Sequence, residues 1–212
     1  EKFVCIDSLQ KNWPMKKIEF SATVERGEAL AILGPSGCGK STILRMIAGL
    51  LPSDGGRIVL DGRDVTLVSP WKRGVGMVFQ DHALFPHLSV EQNICYGLVS
   101  LGVKKKERHR IASQWLERFE LEGFNKRAIG TLSGGEKQRV ALIRSLVMNP
   151  LLMLFDEPLS ALDTPLRKRL RMDLRARQKD LGYTALYVTH DEQEANVLAD
   201  RVLRMDSGFS DF

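Results

Sequence analysis

The octapeptide Gly34-Pro35-Ser36-Gly37-Cys38-Gly39-Lys40-Ser41 constrains this chain more than any other segment. It matches G-x-x-x-x-G-K-[ST] at every fixed position, a pattern whose chemistry requires a strand before it and a helix after it. Both flanks comply. Ala29-Leu30-Ala31-Ile32-Leu33 is a continuous apolar run too short for a typical helix, and it reads as a central strand covered on both faces. From Ser41 onward, Ile43, Leu44, Ile47 and Ala48 are spaced for one helical face, and Gly49 is placed to stop the helix. Glycines let successive backbone amides curl around phosphate oxygens where a Cβ would block the approach, and the helix N-terminus adds partial positive charge. In such a loop Lys40 reaches the β and γ phosphates and the Ser41 hydroxyl ligates Mg²⁺. Thr42 and the variable positions Pro35, Ser36 and Cys38 complete the phosphate-binding set, with Cys38 read as a bystander rather than a redox switch. The loop alone does not separate an ATPase from a GTPase or a small-molecule kinase.

The rest of the chain supplies a matching frame. With 212 residues, 43% hydrophobic and 27% charged, it belongs with compact single-domain proteins and not with disordered or collagen-like ones. Cys5, Cys38 and Cys95 are odd in number and scattered, which excludes a metal knuckle or C-x-x-C pair and suits a reducing compartment. The net charge of +5 fits nucleic acid, an anionic membrane surface, a polyphosphate ligand or plain solubilising charge. No apolar run approaches the roughly 18 residues of a bilayer span, and the N-terminus has no signal-peptide pattern, so the chain is expected neither to cross nor to exit a membrane by itself. The missing initiator methionine and the short tail suggest processed, tagged or truncated ends.

Phe3-Val4-Cys5-Ile6 reads as a short strand, and Ile18, Phe20, Ala22 and Val24 alternate as in a half-buried one. Ile58-Leu60 and Val75-Phe79 are further strands, set off by Asp54-Gly55 and Asp61-Gly62. Residues 81–150 change character. A short helix starts at Ser89, and a long one spans Lys104 to Phe119 with Ile111, Trp115, Leu116 and Phe119 on one face. Another begins at Ser133, where Ser133-Gly134-Gly135-Glu136 has capping-box spacing and Val140, Ile143 and Val147 form an apolar stripe. Strand character returns at Leu151-Phe155. A basic helix over 165–181, a strand over 184–188, a helix over 192–199 and a strand over 201–205 follow. The pattern predicts an α/β sheet core, 1–80 plus 151–212, interrupted by a helical lobe over 81–150.

Asp156 and Glu157 follow an apolar strand, and in a parallel sheet the ligand crevice lies beyond the carboxyl ends of the strands, so both face the phosphate loop. Asp156 is assigned to Mg²⁺, mostly through bound water, and Glu157 to orienting the water that attacks the γ phosphate, with Lys40 neutralising charge. His190 ends a neighbouring strand, where it can donate to the γ phosphate. Gln80 ends a third strand and contacts either the metal or the attacking water.

With these residues in place the chain resembles the ATP-binding cassette family, over essentially its whole length. Leu132-Ser133-Gly134-Gly135-Glu136 looks like that family's signature motif, Gln80 like its lobe-connecting glutamine, Ser160-Ala161-Leu162-Asp163 like its dimer-contact loop and His190 like its switch histidine. The resemblance implies a P-loop NTPase core with a mixed, mainly parallel sheet, an inserted helical subdomain and N-terminal antiparallel strands. It implies a head-to-tail dimer in which two ATP molecules lie between the phosphate loop of one copy and Ser133, Gly134, Gly135 and Glu136 of the other. Asp163 would shape the opposite site. Trp13 stands where the family stacks an aromatic ring on adenine, and packing at the lobe edge is the alternative. The stretch after Gln80, Asp81 to Ser89, is where a transmembrane permease would dock, in wording most like importers of ferric iron, thiamine, polyamines, sulfate or sugars. The implied protein is a peripheral ATPase on the cytoplasmic face of the inner membrane. It would serve a permease and, indirectly, a substrate-binding protein, and nucleic acid is not among its partners. A soluble cassette ATPase of translation or DNA repair would show tandem cassettes or a coiled-coil insertion, and Glu157 and His190 argue against an ATP-binding module without turnover. The family usually continues beyond Gly208, so a shortened chain or a minimal version is expected.

Overall fold

A computed structural model describes residues 2–14, 16–160 and 164–205. The elements run β1 (Lys2–Trp13), β2 (Lys16–Glu25), β3 (Ala29–Leu33), α1 (Lys40–Ala48), β4 (Gly55–Leu60), β5 (Arg63–Asp64) and β6 (Val75–Val78). Then come α2 (Val90–Ile94), α3 (Tyr96–Ser100), α4 (Lys105–Arg118), α5 (Gly134–Leu146), β7 (Leu152–Asp156), α6 (Thr164–Leu181), β8 (Thr184–Thr189), α7 (Glu192–Leu198) and β9 (Arg201–Arg204). The strands form two sheets. One is antiparallel, in the order β2-β1-β4-β5, and the other is wholly parallel, in the order β6-β7-β8-β3-β9.

The parallel sheet explains the unbroken apolar runs. Successive side chains of a strand point to opposite faces, and here both faces are covered. Leu30 and Ile32 of β3, with Leu152, Leu154, Leu186 and Val188, join α1 and the antiparallel sheet in one core. Ala31 and Leu33, with Met153, Phe155, Ala185 and Tyr187, join the helices over 90–146 and 166–198 in the other. The strand β1 runs well past the expected Phe3–Ile6, because it pairs with β2 on one edge and β4 on the other. An irregularity between Ile6 and Leu9, with Ser8 at φ 47°, turns Leu9 into the core. Among described residues, no helix is long and apolar enough to cross a membrane.

Two charged residues fix the phosphate-loop strand and helix from behind. Asp200 accepts hydrogen bonds from the Ala29 amide (2.9 Å), Arg175 and Lys179 (2.7 Å), tying the start of β3 to α6. Burial works against its ionised form, yet those hydrogen bonds hold its carboxyl far below the usual carboxylate range. Arg73 is buried, and its guanidinium donates to the carbonyls of Met46 and Ile47 (2.9 Å each), Thr66 (2.8 Å) and Val68 (2.7 Å). Two of these are end carbonyls of α1, of which that of Met46 also accepts from the C-cap Gly49 amide (3.0 Å). Arg73→Met should therefore destabilise the protein by about 3–5 kcal/mol, a Tm fall of about 6–20 °C. A thermal melt checks this, and a fall under about 2 °C would remove Arg73 from that role.

Candidate nucleotide site

Because every pair in the larger sheet is parallel, the segments after β3, β7, β8 and β6 emerge on one side. This side holds the loop 34–41, Asp156 with Glu157, His190 and Gln80. At its centre the Ser41 hydroxyl donates to Asp156 Oδ1 at 2.7 Å. Lys40 is only 4% exposed, and its Nζ donates to the carbonyls of Gly34 (2.7 Å) and Pro35 (2.8 Å) while lying 3.9 Å from Glu157 Oε1. The other Glu157 oxygen, Oε2, lies 3.1 Å from His190 Nδ1. Lysine, glutamate and histidine thus form a row from a buried end to a wet one, the Glu157 side chain being 17% exposed and that of His190 48%.

Glu157 has φ 45°, a left-handed conformation that costs a non-glycine residue about 1–2 kcal/mol. Its amide donates to the Val188 carbonyl (3.1 Å), and its carbonyl accepts from the Ser160 hydroxyl (3.0 Å), so the turn is held from both sides. The strain redirects the chain immediately after Asp156 and throws the two carboxylates in different directions, one to Ser41 and one to His190.

The loop itself is braced by the first hairpin. Gly39 has φ 113°, which favours glycine, and a Cβ there would come within 2.6 Å of Ile18 Cδ1, so that the isoleucine would also have to move. The Lys16 ammonium donates to the Gly37 carbonyl. Lys16 pairs in register with Trp13, which brings the hairpin end beside the loop. The indole is 46% exposed, with Lys11 Nζ over the ring at 5.6 Å from its centroid. Pro35, Ser36 and Gly37 are exposed, Thr42 is half-buried, and Cys38 is buried with its sulfur 4.0 Å from Lys40 Nζ. Gln80 lies two residues beyond the end of β6 and is exposed.

Ser133 stands elsewhere. Its hydroxyl accepts from the Glu136 amide (3.3 Å), and Glu136 Oε2 accepts from the Ser133 amide (2.7 Å), the complete capping box expected from the sequence. Glu136 Oε1 lies 3.8 Å from Arg127, and no hydrogen bond of Ser133 or Glu136 reaches the loop 34–42 of the same chain. Gly135 has a packing reason that capping does not supply: it is buried, and a Cβ there would sit 3.3 Å from Leu170 Cδ1, a tight contact to which the leucine side chain would have to yield. Asp163 lies outside the described residues.

Sequence reading missed two charged side chains here. Arg144 of α5 donates to the carbonyls of His82 (3.0 Å) and Ala83 (2.6 Å), whose φ values of 64° and 45° make the loop after Gln80 a strained one. Glu194 of α7 is buried and accepts from Thr189. No local pattern marks either residue, since each is defined by what the fold brings against it.

A strand feeding a phosphate-binding loop, beside a strand ending in Asp-Glu within a parallel sheet, defines a P-loop NTPase fold. The chain belongs to the ABC transporter family, whose sequence pattern matches residues 18–160. The Fe(3+) ions import ATP-binding protein FbpC of Agrobacterium fabrum is 49% identical over 190 residues, 90% of this chain and 54% of that protein. The sn-glycerol-3-phosphate import ATP-binding protein UgpC 1 of Rhizobium johnstonii is 50% identical over 185 residues, 87% of this chain and 50% of that protein. The chain thus spans about half the length of these curated relatives. The dimeric structure of a post-hydrolysis state of the ATP-binding cassette MJ0796 bound to ADP and Pi is similar at TM-score 0.81 and 29% identity, covering 97% of this chain and 95% of that one.

Proposed function

We propose that this chain is the ATP-hydrolysing cassette of an importer, working as a head-to-tail pair at the cytoplasmic face of the inner membrane. The observation that carries the reading is the row Lys40–Glu157–His190 next to the Ser41–Asp156 pair. Lys40 holds carbonyls of its own loop, and bound phosphates offer the ammonium stronger, charge-assisted partners. Glu157 accepts a proton from the attacking water and orients it, while His190 holds the second carboxylate oxygen and keeps the first one aimed.

The donor chemistry beside the loop fits Mg²⁺. Ser41 and Asp156 supply hard oxygens, and among described residues no group of three or more His, Cys, Asp or Glu could hold a metal alone. Such a pair suits an ion that takes one or two protein oxygens and fills its shell with water and phosphate. Bound there, Mg²⁺ would neutralise developing charge on the phosphates. Gln80, at the neighbouring strand end, is assigned to the metal or the water, and Trp13 to the base.

Ser133, Gly134, Gly135 and Glu136 are proposed to serve the nucleotide of a second copy, with Asp163 beside it. Ser133 is exposed, the capping box takes the Ser133 and Glu136 amides and leaves those of Gly134 and Gly135 for an anion, and those hydrogen bonds do not run to the Lys40 loop. The stretch 81–150 is read as a lobe that a permease engages. Support comes from a cavity of about 550 Å³ lined by Trp71, Phe79, Phe85, Tyr96 and Met148, of which Trp71 is 81% exposed. Relatives named for Fe(3+) and for sn-glycerol-3-phosphate match at nearly equal identity, so the cassette sequence singles out no cargo, and that choice is assigned to the permease and its binding protein.

The test is complementation. Ser133→Arg and Lys40→Ala proteins should each turn over ATP at under about 1% of wild type, whereas an equal mixture should regain roughly a quarter through mixed dimers with one intact composite site. No recovery in any mixture would overturn assembly in trans.

A further inference from the structure

The helix after the switch histidine carries a carboxylate that the chemistry above leaves unused. Glu194 is 2% exposed, its Oε2 accepts from Thr189 Oγ1 at 2.9 Å, and its Oε1 is buried without a hydrogen-bond partner among described residues. Thr189 Oγ1 also accepts from the Asp191 amide at 3.1 Å, and Asp191 Oδ1 accepts from the Glu194 amide at 2.9 Å, capping α7. These three bonds close a ring around His190. The residues before and after it are both held, and its imidazole projects to Glu157 Oε2.

The same cluster reaches Glu157 by a second route. Arg171 and Arg167 of α6 lie 3.6 and 3.9 Å from Asp191 Oδ2, Arg167 donates to the Ser160 carbonyl at 3.3 Å, and the Ser160 hydroxyl donates to the Glu157 carbonyl. Burying a carboxylate is costly, and burial pushes Glu194 up to about 7. The Thr189 hydrogen bond opposes that rise, Asp191 adds to it, and Arg171 and Arg167 counter it. Of the remaining charged groups nearby, Arg175 of α6 is engaged with Asp200 and the Leu198 carbonyl, and Glu192 of α7 with Arg204 of β9. The β3 strand is apolar, and on β8 the buried Tyr187 phenol, pushed up chiefly by its own burial, also interacts with Glu194.

We propose that Glu194 is a positioning residue for the Glu157–His190 pair: its grip on Thr189 fixes the turn that aims the His190 imidazole at Glu157. The proposal rests on reading that pair as the hydrolytic one. Glu194 and Thr189 act as one link, which E194A breaks alone and T189V breaks together with the Asp191 amide bond to Thr189 Oγ1.

The experiment compares E194A, E194Q, T189V and the E194A/T189V double variant in the full-length protein, by steady-state kinetics and by the ring ¹⁵N resonances of His190. E194A and T189V are each expected to lower kcat about tenfold with KM for ATP within about twofold, and the double variant is expected to be no slower than the slower single. E194Q is expected to stay within about threefold of wild type, because its amide oxygen still accepts the Thr189 proton. The folded protein binds a proton at Glu194 more tightly than the unfolded chain does, so wild-type stability falls as pH rises from about 4.5 to about 7. The Tm of E194Q should accordingly gain on wild type between pH 5 and 8. The His190 resonances should move in E194A and T189V and stay in place in E194Q. Wild-type kcat in both E194A and T189V, losses that multiply in the double variant, or unmoved His190 resonances would each overturn the proposal. If E194A fails to fold, the near-isosteric T189V decides alone. A wild-type protein that binds ATP without turnover would strike the reading of Glu157 instead, and the resonances would still judge Glu194.

Discussion

Glu157→Gln is expected to keep ATP affinity within about threefold of wild type while lowering turnover about 10²–10⁴-fold. The amide matches the carboxylate in shape, so the turn held by Val188 and Ser160 should persist. What disappears is the proposed base. Glutamine takes no proton from water, and it no longer presents a negative charge to Lys40 at 3.9 Å or an ionised acceptor to His190 at 3.1 Å. Binding is expected to survive because phosphate contact is assigned to the loop 34–41 and Lys40, which the substitution leaves in place. Single-turnover and steady-state ATP assays, paired with equilibrium nucleotide titration, separate the two effects. An ATP-loaded dimer of this variant should also outlast that of the wild type. Turnover within tenfold of wild type would remove Glu157 from the role of base.

Lys40→Ala acts on the other side of the same balance. The ammonium is buried, and a buried charge facing phosphate contributes about 1.5–3 kcal/mol per charge-assisted hydrogen bond, so the Kd for ATP should rise about 10–100-fold. Turnover should fall further than binding, by about 10³-fold, since charge on the transferring phosphoryl group is greatest in the transition state. The substitution also strips Glu157 of its cationic neighbour. Titration with a nonhydrolysable ATP analogue measures the first effect, and a Kd within threefold of wild type would count against phosphate contact by Lys40.

The contrast between these residues and Glu194 shows where reading a sequence stops. The capping box at Ser133 involves partners three residues apart, so the spacing S-x-x-E sufficed to expect both hydrogen bonds, and both are present. The strand runs Ala29–Leu33 and Leu151–Phe155 were legible because burial on two faces leaves only apolar residues in a short segment, and β7 is shifted by one residue, to Leu152–Asp156. Arg73, Arg144 and Glu194 left no such mark. Arg73 reaches carbonyls 26 and 27 residues away, and Arg144 carbonyls 61 and 62 residues away, and an isolated arginine gives no hint of those partners. Gly135 was legible only as a motif position, while its packing reason depends on Leu170 of a helix that follows later in the chain.

The amino-acid sequence by itself determined the phosphate loop, the order of strands and helices apart from β5 and α3, the helix cap at Ser133 and the family. Each of these is written in dihedral preferences, periodicity and hydrogen bonds that span a few residues. Only the tertiary structure decided that Ser41 meets Asp156 across 115 residues and that Glu157 meets His190 across 33. Those distances are set by a sheet that places β3 beside β8 and β8 beside β7, with every carboxyl end on one side. It also decided that Glu157 takes a left-handed turn, because the strain of one residue is sustained only by the bonds its neighbours in space supply.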